Sequence, residues 1–573
     1  MNIRQMLDDR ITVALHTAGA PETVTAIVKP SARPEFGDYQ ANGVMAAAKQ
    51  LKMKPRELAN QVLEHLDLSD VAAQIEVAGP GFLNIHLRNA WLAEQLTRPD
   101  ATATAEPRQT IVVDYSSPNL AKEMHVGHLR STIIGDAMVR VLTHLGHTVI
   151  RQNHVGDWGT QFGMLLAHMA DLKAQNQSIS TELADLEQFY RQAKQRFDAE
   201  PDFAERARKL VVKLQSGDAE CLQLWQQFID ISLTHCETTY ARLGVSLSRA
   251  DVKAESSYNA DLPNIISDLQ AQDLLREDQG AQCAFMEEFK NRNGDIMGLI
   301  VQKSGGGYLY STTDLAALRY RQHTLQAERI LYFVDARQAF HFQQVYALAR
   351  KAGFVYPDTS LEHMAFGTML GEDGTPFKTR SGDTVKLADL LDEAEERAYQ
   401  LVSTINPEMP DAERREVAHK VGIGAVKYAD LSKNRNSDYI FNLDAMVSFE
   451  GNTAPYLQYA YTRIRSIFRK LGREVQADAT LNLLEPAERT LALKLLQLDE
   501  VLHNVAQDGL PNQLATYLHE LAGNLMTFYE ACPILKVGIT DEVRESRLLL
   551  IDKTADTLKT GLGLLGIEVM ERM

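Results

Sequence analysis

Two histidines and a lysine lie close together in the segment Ala121-Lys-Glu-Met-His-Val-Gly-His128. Imidazole N–H groups and an ammonium group can all donate hydrogen bonds to an anion, and Gly127 would let that anion approach the backbone closely. Two histidines three residues apart are also typical of half a metal site or of a solvated helix face. We interpret Lys122, His125, Gly127 and His128 as a candidate phosphate site.

The pattern around this segment predicts a strand, a sharp turn and a helix. The β-branched run from Ile111 to Val113 indicates a buried strand, and Ser116-Ser-Pro-Asn119 indicates the turn. Apolar residues at helical spacing then mark one helix face: Val126, Leu129, Ile133, Ala137 and Leu145. The two histidines therefore fall at a helix N-terminus, where unpaired N–H groups and the helix dipole attract phosphate.

A second β-branched run, Gly146-His-Thr-Val-Ile-Arg151, follows the predicted helix. A strand, a helix and a strand in this order predict a parallel sheet of the dinucleotide-binding type, so the fold class is α/β. We place this Rossmann-type unit at residues 109–395. Residues from about 170 to 245 are polar with a helical period, and we interpret them as a helical insertion with no chemistry of its own.

Three polar side chains follow later strands of the same unit. The segment from Leu299 predicts a strand, a glycine turn, a second short strand and a helix that opens at Thr312. Tyr310 and Asp314 could face one pocket there, although an aspartate in a first helical turn also stabilises the dipole without any ligand. Gln338 follows the predicted strand Ile330-Leu-Tyr-Phe-Val-Asp335 and falls at its carboxyl edge.

The segment from 367 to 386 is rich in glycine and basic residues and includes Met369 and Lys378. Such a segment could close over phosphates. A plain surface hairpin is the alternative, because Glu-Asp-Gly is ordinary turn chemistry.

The two ends of the chain differ from the central unit. Residues 1–96 predict a small α+β unit, residues 97–108 a linker, and residues 396–573 an all-helical bundle. In the first unit, residues able to stack on or hydrogen-bond to unpaired bases are Phe36, Tyr39 and Asn42, with loop packing as the alternative. In the bundle, tyrosines precede a basic cluster, which is either an RNA contact or a solvated helix face: Tyr456, Tyr459 and Arg463.

Bulk composition limits the function further. The net charge of −17 over 573 residues argues against a protein that coats nucleic acid through its overall field. The N-terminus carries charges where a signal peptide has an apolar core. The sequence also lacks an apolar run long enough to span a membrane. Four widely separated cysteines predict free thiols in a reducing cytoplasm.

A set of segments, taken in order, resembles the arginyl-tRNA synthetases, which are class I aminoacyl-tRNA synthetases. The His125-Val-Gly-His128 sequence is similar to the His-Ile-Gly-His signature of that class. The other segments are Val113-Asp-Tyr-Ser-Ser-Pro-Asn119, Gly156-Asp-Trp-Gly-Thr-Gln-Phe-Gly163, Tyr310-Ser-Thr-Thr-Asp-Leu-Ala-Ala317, Phe449-Glu-Gly-Asn-Thr-Ala-Pro-Tyr-Leu-Gln-Tyr459 and the end Glu571-Arg-Met573.

The resemblance implies a reaction. ATP and L-arginine would give arginyl-adenylate and pyrophosphate, and the arginyl group would pass to the 3′-terminal adenosine of tRNA(Arg). Mg²⁺ would arrive with ATP, with no metal held by protein side chains. The resemblance also implies an N-terminal tRNA-contacting domain, a C-terminal anticodon-binding domain, and a cytoplasmic monomer with no membrane partner.

The resemblance also implies roles for particular residues. The catalytic residues would be Lys122, His125, His128 and Lys378. Those at ATP would be His125, Gly127, His128, Met369 and Lys378. Those at arginine would be Asp114, Asn119, His128, Tyr310, Asp314 and Gln338. Those at tRNA would be Phe36, Tyr39, Asn42, Tyr456, Tyr459, Arg463 and Met573.

One departure from the class pattern bears on these roles. The Lys-Met-Ser-Lys-Ser loop of class I enzymes is present only as Phe377-Lys-Thr-Arg-Ser-Gly382, and the resemblance implies that Lys122 supplies the missing charge. Two other classes share part of the pattern. A nucleotidyltransferase would need no pocket of Asp114, Tyr310 and Asp314, and a silent RNA-binding paralogue would tolerate loss of the histidines.

Overall fold

The computed structural model describes residues 2–98, 107–159, 161–175, 186–377, 385–476 and 478–573. The N-terminal unit contains a four-stranded antiparallel sheet in the order β1-β2-β4-β3. Its strands are β1 Val28–Pro30, β2 Tyr39–Ala41, β3 Ala72–Ala78 and β4 Phe82–Leu87. Its helices are α1 Ile3–Thr17, α2 Val44–Leu51, α3 Pro55–His65 and α4 Asn89–Thr97.

Strand β2 corrects one prediction in this unit. The sequence from Phe36 to Asn42 predicts a loop, but its residues 39–41 pair with both β1 and β4. Tyr39 and Ala41 face the core and are fully buried. Three residues are too few for alternation to be recognised, so only the long-range partners define this strand.

The central unit is built on a parallel sheet of four strands in the order β11-β10-β5-β6. These are β5 Thr110–Asp114, β6 Thr148–Gln152, β10 Arg329–Tyr332 and β11 Ser360–His363. Helix α5 (Val126–His144) connects β5 to β6. The predicted strand–helix–strand crossover and the parallel sheet are confirmed.

In the described part of the stretch from β6 to residue 242, four helices are present, and they include the predicted insertion. They are α6 Gln161–Ala174, α7 Leu186–Ala199, α8 Pro201–Gln215 and α9 Ala219–Arg242. The apolar faces of these helices pack on one another and on the main core, with Phe162, Phe189 and Phe228 fully buried among them.

A second insertion separates α9 from β10. It contains α10 (Leu262–Ala271) and an antiparallel sheet of β7 Arg276–Asp278, β8 Ala281–Lys290 and β9 Ile296–Gln302. The segment from Leu299 was expected to resume the parallel sheet, and that expectation is wrong because β9 pairs only within this antiparallel sheet among the described residues. The predicted second short strand is a single bridge between Gln302 and Tyr308. Helix α11 (Tyr310–His323) begins two residues before the predicted Thr312.

Helix α12 (Ala339–Lys351) completes the central unit, and a helical bundle follows. Its helices are α13 Leu387–Ile405, α14 Asp411–Leu431, α15 Leu443–Met446, α16 Ala454–Leu471, α17 Pro486–Leu496, α18 Leu498–Asp508, α19 Asn512–Ala531 and α20 Asp541–Leu564. One short strand, β13 (Tyr439–Ile440), corrects the all-helical prediction because it pairs with β12 (Met369–Leu370). In the described ranges, every helix is too short or too polar to cross a membrane.

A buried ion pair joins α5 to the bundle. Arg130 Nε lies 2.9 Å from Asp430 Oδ2, and the two side chains are 2% and 0% exposed. The Arg130 guanidinium also lies 5.2 Å from the centroid of the Tyr439 ring and donates to the Ser437 carbonyl oxygen. Helix α5 therefore cannot shift without disturbing α14 and β13.

We expect Asp430→Asn to lower the free energy of unfolding by about 3–5 kcal/mol, because it leaves the Arg130 charge buried without its partner. Thermal unfolding followed by circular dichroism measures the change. Asp198→Asn is the control, because it removes an exposed partner of Lys194 and should move the midpoint little. Equal shifts in the two variants would contradict a special role for the buried pair.

Candidate active site

The turn after β5 has an unusual backbone. Ser116 and Ser117 have φ values of 67° and 45°, in the left-handed region that non-glycine residues seldom occupy. The Ser116 amide donates to Ser131 Oγ at 2.9 Å, and the Ser117 amide donates to Asn153 Oδ1 at 3.0 Å. Strain of this kind collects at functional sites, where the surroundings hold it in place.

The two signature histidines cap the N-terminus of α5. The Gly127 amide donates to His125 Nδ1 at 3.0 Å, and the His125 amide donates to His128 Nδ1 at 3.1 Å. Because Nδ1 accepts in both rings, Nε2 is the protonated nitrogen of each neutral imidazole. Burial and the neighbouring His125 lower the pKa of His128 to about 3. His128 is therefore a neutral hydrogen-bond donor at this helix terminus.

The packing around position 127 requires glycine there, in addition to the predicted close approach of a ligand. A Cβ at this position would lie 2.8 Å from Cε1 and 2.9 Å from Nδ1 of the His125 ring. Any side chain here would therefore displace the capping imidazole.

Lys122 lies at the same end of the helix and is exposed. Its Nζ atom lies 4.4 Å from the centroid of the Tyr190 ring, which belongs to α7 of the insertion. A cation–π contact of this kind stabilises an ammonium without neutralising it. The insertion, which was expected to have no chemistry of its own, thus contacts one of the predicted catalytic residues.

The end of the glycine-rich loop packs directly against the signature. The Val126 amide donates to the Val385 carbonyl oxygen at 3.1 Å, and Lys386 Nζ lies 3.1 Å from Glu123 Oε2. Lys378 lies outside the described residues. The Met369 side chain is only 5% exposed, so the nucleotide contact predicted for it remains a prediction without support from its position.

The contact of Asp114 with arginine that the resemblance implies stays a prediction. Asp114 is 4% exposed, and each of its carboxylate oxygens accepts one hydrogen bond from within the chain. Arg321 Nη2 donates to Oδ2 at 2.6 Å, and Ser117 Oγ donates to Oδ1 at 2.8 Å. Asp114 therefore pairs with the guanidinium of Arg321. Because the two residues are far apart in the sequence, no local pattern could have indicated this contact.

Tyr310 and Asp314 of α11, both predicted, contact the same residue of α12, His341. Tyr310 is 62% exposed, and Asp314 lies one turn further along α11. His341 Nε2 lies 2.5 Å from Asp314 Oδ2, and the Tyr310 and His341 rings are 4.7 Å apart in an edge contact. Gln338 is exposed at the N-cap of α12. The Asn119 side chain is exposed, and its Oδ1 accepts from the Ala121 amide at 3.0 Å.

Glu255 is a residue close to Asp314 that the sequence did not indicate. It begins a short 3₁₀ turn, and its amide donates to the Val155 carbonyl oxygen at 3.1 Å. Burial, followed by the charges of Asp314 and Asp157, raises the pKa of Glu255 to about 8. A lone glutamate in a polar segment gives no sequence signal, so only the fold identifies it.

A cluster of buried polar side chains around Arg321 is incompletely hydrogen-bonded. Within the described residues, Arg321 Nη1 and three buried tyrosine hydroxyls have no hydrogen-bond partner: Tyr258, Tyr332 and Tyr346. The guanidinium of Arg321 lies 4.8 Å from the centroid of the Tyr332 ring. Buried polar atoms without protein partners mark a place that water or a polar ligand fills.

The three residues of the N-terminal unit that were predicted to contact RNA differ in exposure. Phe36 is 37% exposed and remains available to a base. Tyr39 is fully buried, and its hydroxyl donates to Glu500 of the bundle at 3.1 Å, so its predicted stacking on bases is wrong. Asn42 is partly buried, with Oδ1 unpartnered in the described part of the chain.

Three of the four predicted residues of the bundle line a cavity of about 470 Å³. Tyr459, Arg463 and Met573 line it together with Arg469 and Arg572. Tyr456 does not line this cavity and instead packs its ring 5.6 Å from that of His519. Three arginines and the exposed ring of Tyr459 line the cavity beside Glu408 and Glu413. The ring and the guanidinium groups suit an unpaired base and its phosphates.

A parallel sheet whose first helix begins at a His-x-Gly-His sequence is typical of the catalytic domain of class I aminoacyl-tRNA synthetases. The family described as "tRNA synthetases class I (R), catalytic domain" matches residues 90–443. The families "Arginyl tRNA synthetase N terminal domain" and "DALR anticodon binding domain" match residues 5–87 and 457–573. The chain belongs to the arginyl-tRNA synthetase family.

Relatives and solved structures match along the whole chain. The Arginine–tRNA ligase of Hahella chejuensis is 62% identical over 581 residues and that of Marinomonas sp. is 60% identical over 580, with 100% of both chains covered. The arginyl-tRNA synthetase structure from Plasmodium falciparum has a TM-score of 0.86 at 30% identity, covering 100% of this chain and 99% of its own. The structure from Thermus thermophilus has a TM-score of 0.85 at 27% identity, with 100% of both chains covered.

We expect the His128 imidazole to remain neutral from about pH 8 down to about pH 5, because its pKa lies far below the usual histidine value. Since the unfolded chain binds that proton more readily, this group removes stability as the pH falls below about 6.5. Nitrogen-15 NMR of labelled histidines should show an Nε2–H tautomer that does not titrate in this range. The signal is assigned by its loss in His128→Gln, and a midpoint between about pH 6 and 7 would contradict the expectation.

Proposed function

We propose that the chain activates L-arginine with ATP at the cleft between α5 and α11 and then transfers the arginyl group to the 3′-terminal adenosine of tRNA(Arg). The observation that carries this proposal is the pairing of two sites at one sheet edge. One site presents imidazole donors at a helix N-terminus, and the other presents the carboxylates of Asp314 and Glu255. The first suits a phosphate and the second a guanidinium.

Adenylate formation needs little general-base catalysis at this site, because the carboxylate of arginine is already a nucleophile. What the reaction requires is stabilisation of negative charge that develops on the α-phosphate. The Nε2–H groups of His125 and His128 supply it, together with the positive end of the α5 dipole. Lys122 is the nearby cation for the leaving pyrophosphate, joined by Lys378. Mg²⁺ bound to ATP neutralises further phosphate charge.

The arginine side chain enters the pocket formed by Asp314, Glu255 and Tyr310. A guanidinium is planar and stays charged, so it is recognised by carboxylates in its plane and by an aromatic wall. Gln338 and Asn119 bind the polar end of the amino acid near His128. Asp114 acts indirectly, since it fixes the position of Arg321.

The tRNA contacts the enzyme at two distant places. Phe36 of the N-terminal unit receives an unpaired base, and the arginine-containing cavity lined by Tyr459, Arg463 and Met573 receives the anticodon. The overall charge of −17 makes such local clusters the points of attachment. The enzyme acts as a monomer in the cytoplasm.

ATP–pyrophosphate exchange with each amino acid in turn, with and without total tRNA, tests this function. We expect arginine to be the one amino acid that supports exchange, because only a guanidinium satisfies both pocket carboxylates. The His128→Leu variant is the control, since it keeps the arginine pocket but removes a donor to the phosphate and should reduce exchange by roughly 100-fold or more. The proposal would be refuted if the wild-type chain showed no exchange with arginine both in the presence and in the absence of tRNA.

The raised pKa of Glu255 gives a second expectation. A bound guanidinium favours the ionised carboxylate, so arginine binding should release a proton below about pH 8, and the KM for arginine should fall as the pH rises toward that value. For the release of one proton, the KM for arginine changes by at most about tenfold per pH unit. Calorimetric titration of arginine in two buffers of different ionisation enthalpy measures the proton.

Glu255→Gln is the matched variant for this test, because it keeps the shape of the side chain and cannot ionise. It should bind arginine more weakly and release no such proton. If the proton release persists unchanged in this variant, another group is its source and the role of Glu255 is wrong.

A further inference from the structure

We propose that His341 is a positioning residue that sets the affinity of the pocket for arginine by fixing the carboxylate of Asp314. This inference rests on the proposed function, in which Asp314 receives the guanidinium. His341 belongs to no recognised sequence motif of the site, and the inference comes from its contacts alone.

The contact between the two side chains is short and sheltered. His341 Nε2 lies 2.5 Å from Asp314 Oδ2, and the side chains are only 13% and 16% exposed. An ionised carboxylate can only accept, so the imidazole must donate from Nε2. In the described part of the chain, Oδ1 of Asp314 makes no hydrogen bond, which leaves one carboxylate oxygen for a ligand.

The imidazole is itself held on two sides. The exposed Tyr310 ring contacts it edge-on at 4.7 Å, and the Phe342 ring lies 5.3 Å away. His341 is also three residues after Gln338, so the first turn of α12 brings both side chains to the same face. A held imidazole can define one orientation of Asp314, whereas a solvated one could not.

The charges near Asp314 make a hydrogen-bond donor to its carboxylate important. The charge of Asp314 acts on Glu255, and Asp157 acts on the same group, so the pocket gathers like charges. Once Glu255 ionises, its repulsion favours turning the Asp314 carboxylate away from the pocket. A charge-assisted hydrogen bond from His341 opposes that rotation and keeps one carboxylate oxygen facing the substrate.

Three substitutions at His341 separate positioning from packing. His341→Gln keeps an amide N–H near the place of Nε2, and His341→Asn carries the same amide on a shorter side chain that does not reach Asp314. His341→Phe keeps the ring and its contacts with Tyr310 but removes the donor. Each variant is compared with wild type in full-length form, with tRNA present, by pyrophosphate exchange and by calorimetric titration of arginine.

Loss of a hydrogen bond to a charged group should raise the KM and Kd for arginine roughly ten- to 100-fold in His341→Asn and His341→Phe. His341→Gln should stay within about threefold of wild type, and the KM for ATP should change less than about twofold in all three. An unchanged arginine affinity in His341→Asn would overturn the proposal. So would parallel losses for arginine and ATP, or equal effects of the Gln and Asn variants, since these indicate a general structural role.

The same measurements distinguish this inference from the function on which it rests. A wild-type chain that does not exchange with arginine refutes the proposed function. A wild-type chain that does, beside His341 variants with unaltered arginine affinity, refutes only the role of His341. Should His341→Phe fail to fold, the Gln and Asn pair still decides the matter, because the two differ only in reach.

Discussion

The backbone turn at Ser116 and Ser117 is the constraint on which the site depends. Two consecutive non-glycine residues in the left-handed region cost of order 1–3 kcal/mol each, so the surroundings must hold them. The holding groups come from three separate elements: Ser131 on α5, Asn153 after β6 and Tyr240 on α9. Because of this turn, the chain leaves β5 sharply and reaches the N-terminus of α5 with both histidines in capping position.

Helix α5 then transmits that position to the rest of the molecule. Its first turns carry the imidazoles and Arg130, which pairs with Asp430 of the bundle. Near its last turn, Arg140 donates to the Gly244 carbonyl oxygen at 2.6 Å, at the end of α9. The buried Lys427 donates to the carbonyl oxygens of Leu243 and Gly566, where two helices end and attract a cation. The catalytic sheet and the bundle are thus joined through buried charges at both ends of one helix.

The sequence predicted the parts of the site that depend on local order. The strand before Asp114, the turn and the helix with His125 and His128 follow one another in the chain, so periodicity and turn chemistry are sufficient for them. Tyr39, Asp114 and Glu255 could not be assigned in this way. Their roles depend on Glu500, Arg321 and Asp314, which lie far away in the sequence and become neighbours only after folding.

In the proposed function, the charges around Asp314 favour a cationic side chain there. Arg321 neutralises Asp114, so this carboxylate is already compensated before any ligand arrives. Asp314 receives a single hydrogen bond from His341, and burial keeps Glu255 close to neutrality in the absence of a cation. A neutral side chain of similar shape would cover the partly buried Asp314 carboxylate without supplying a counter-charge. Rejection of such a ligand therefore comes from uncompensated charge in the pocket rather than from steric exclusion.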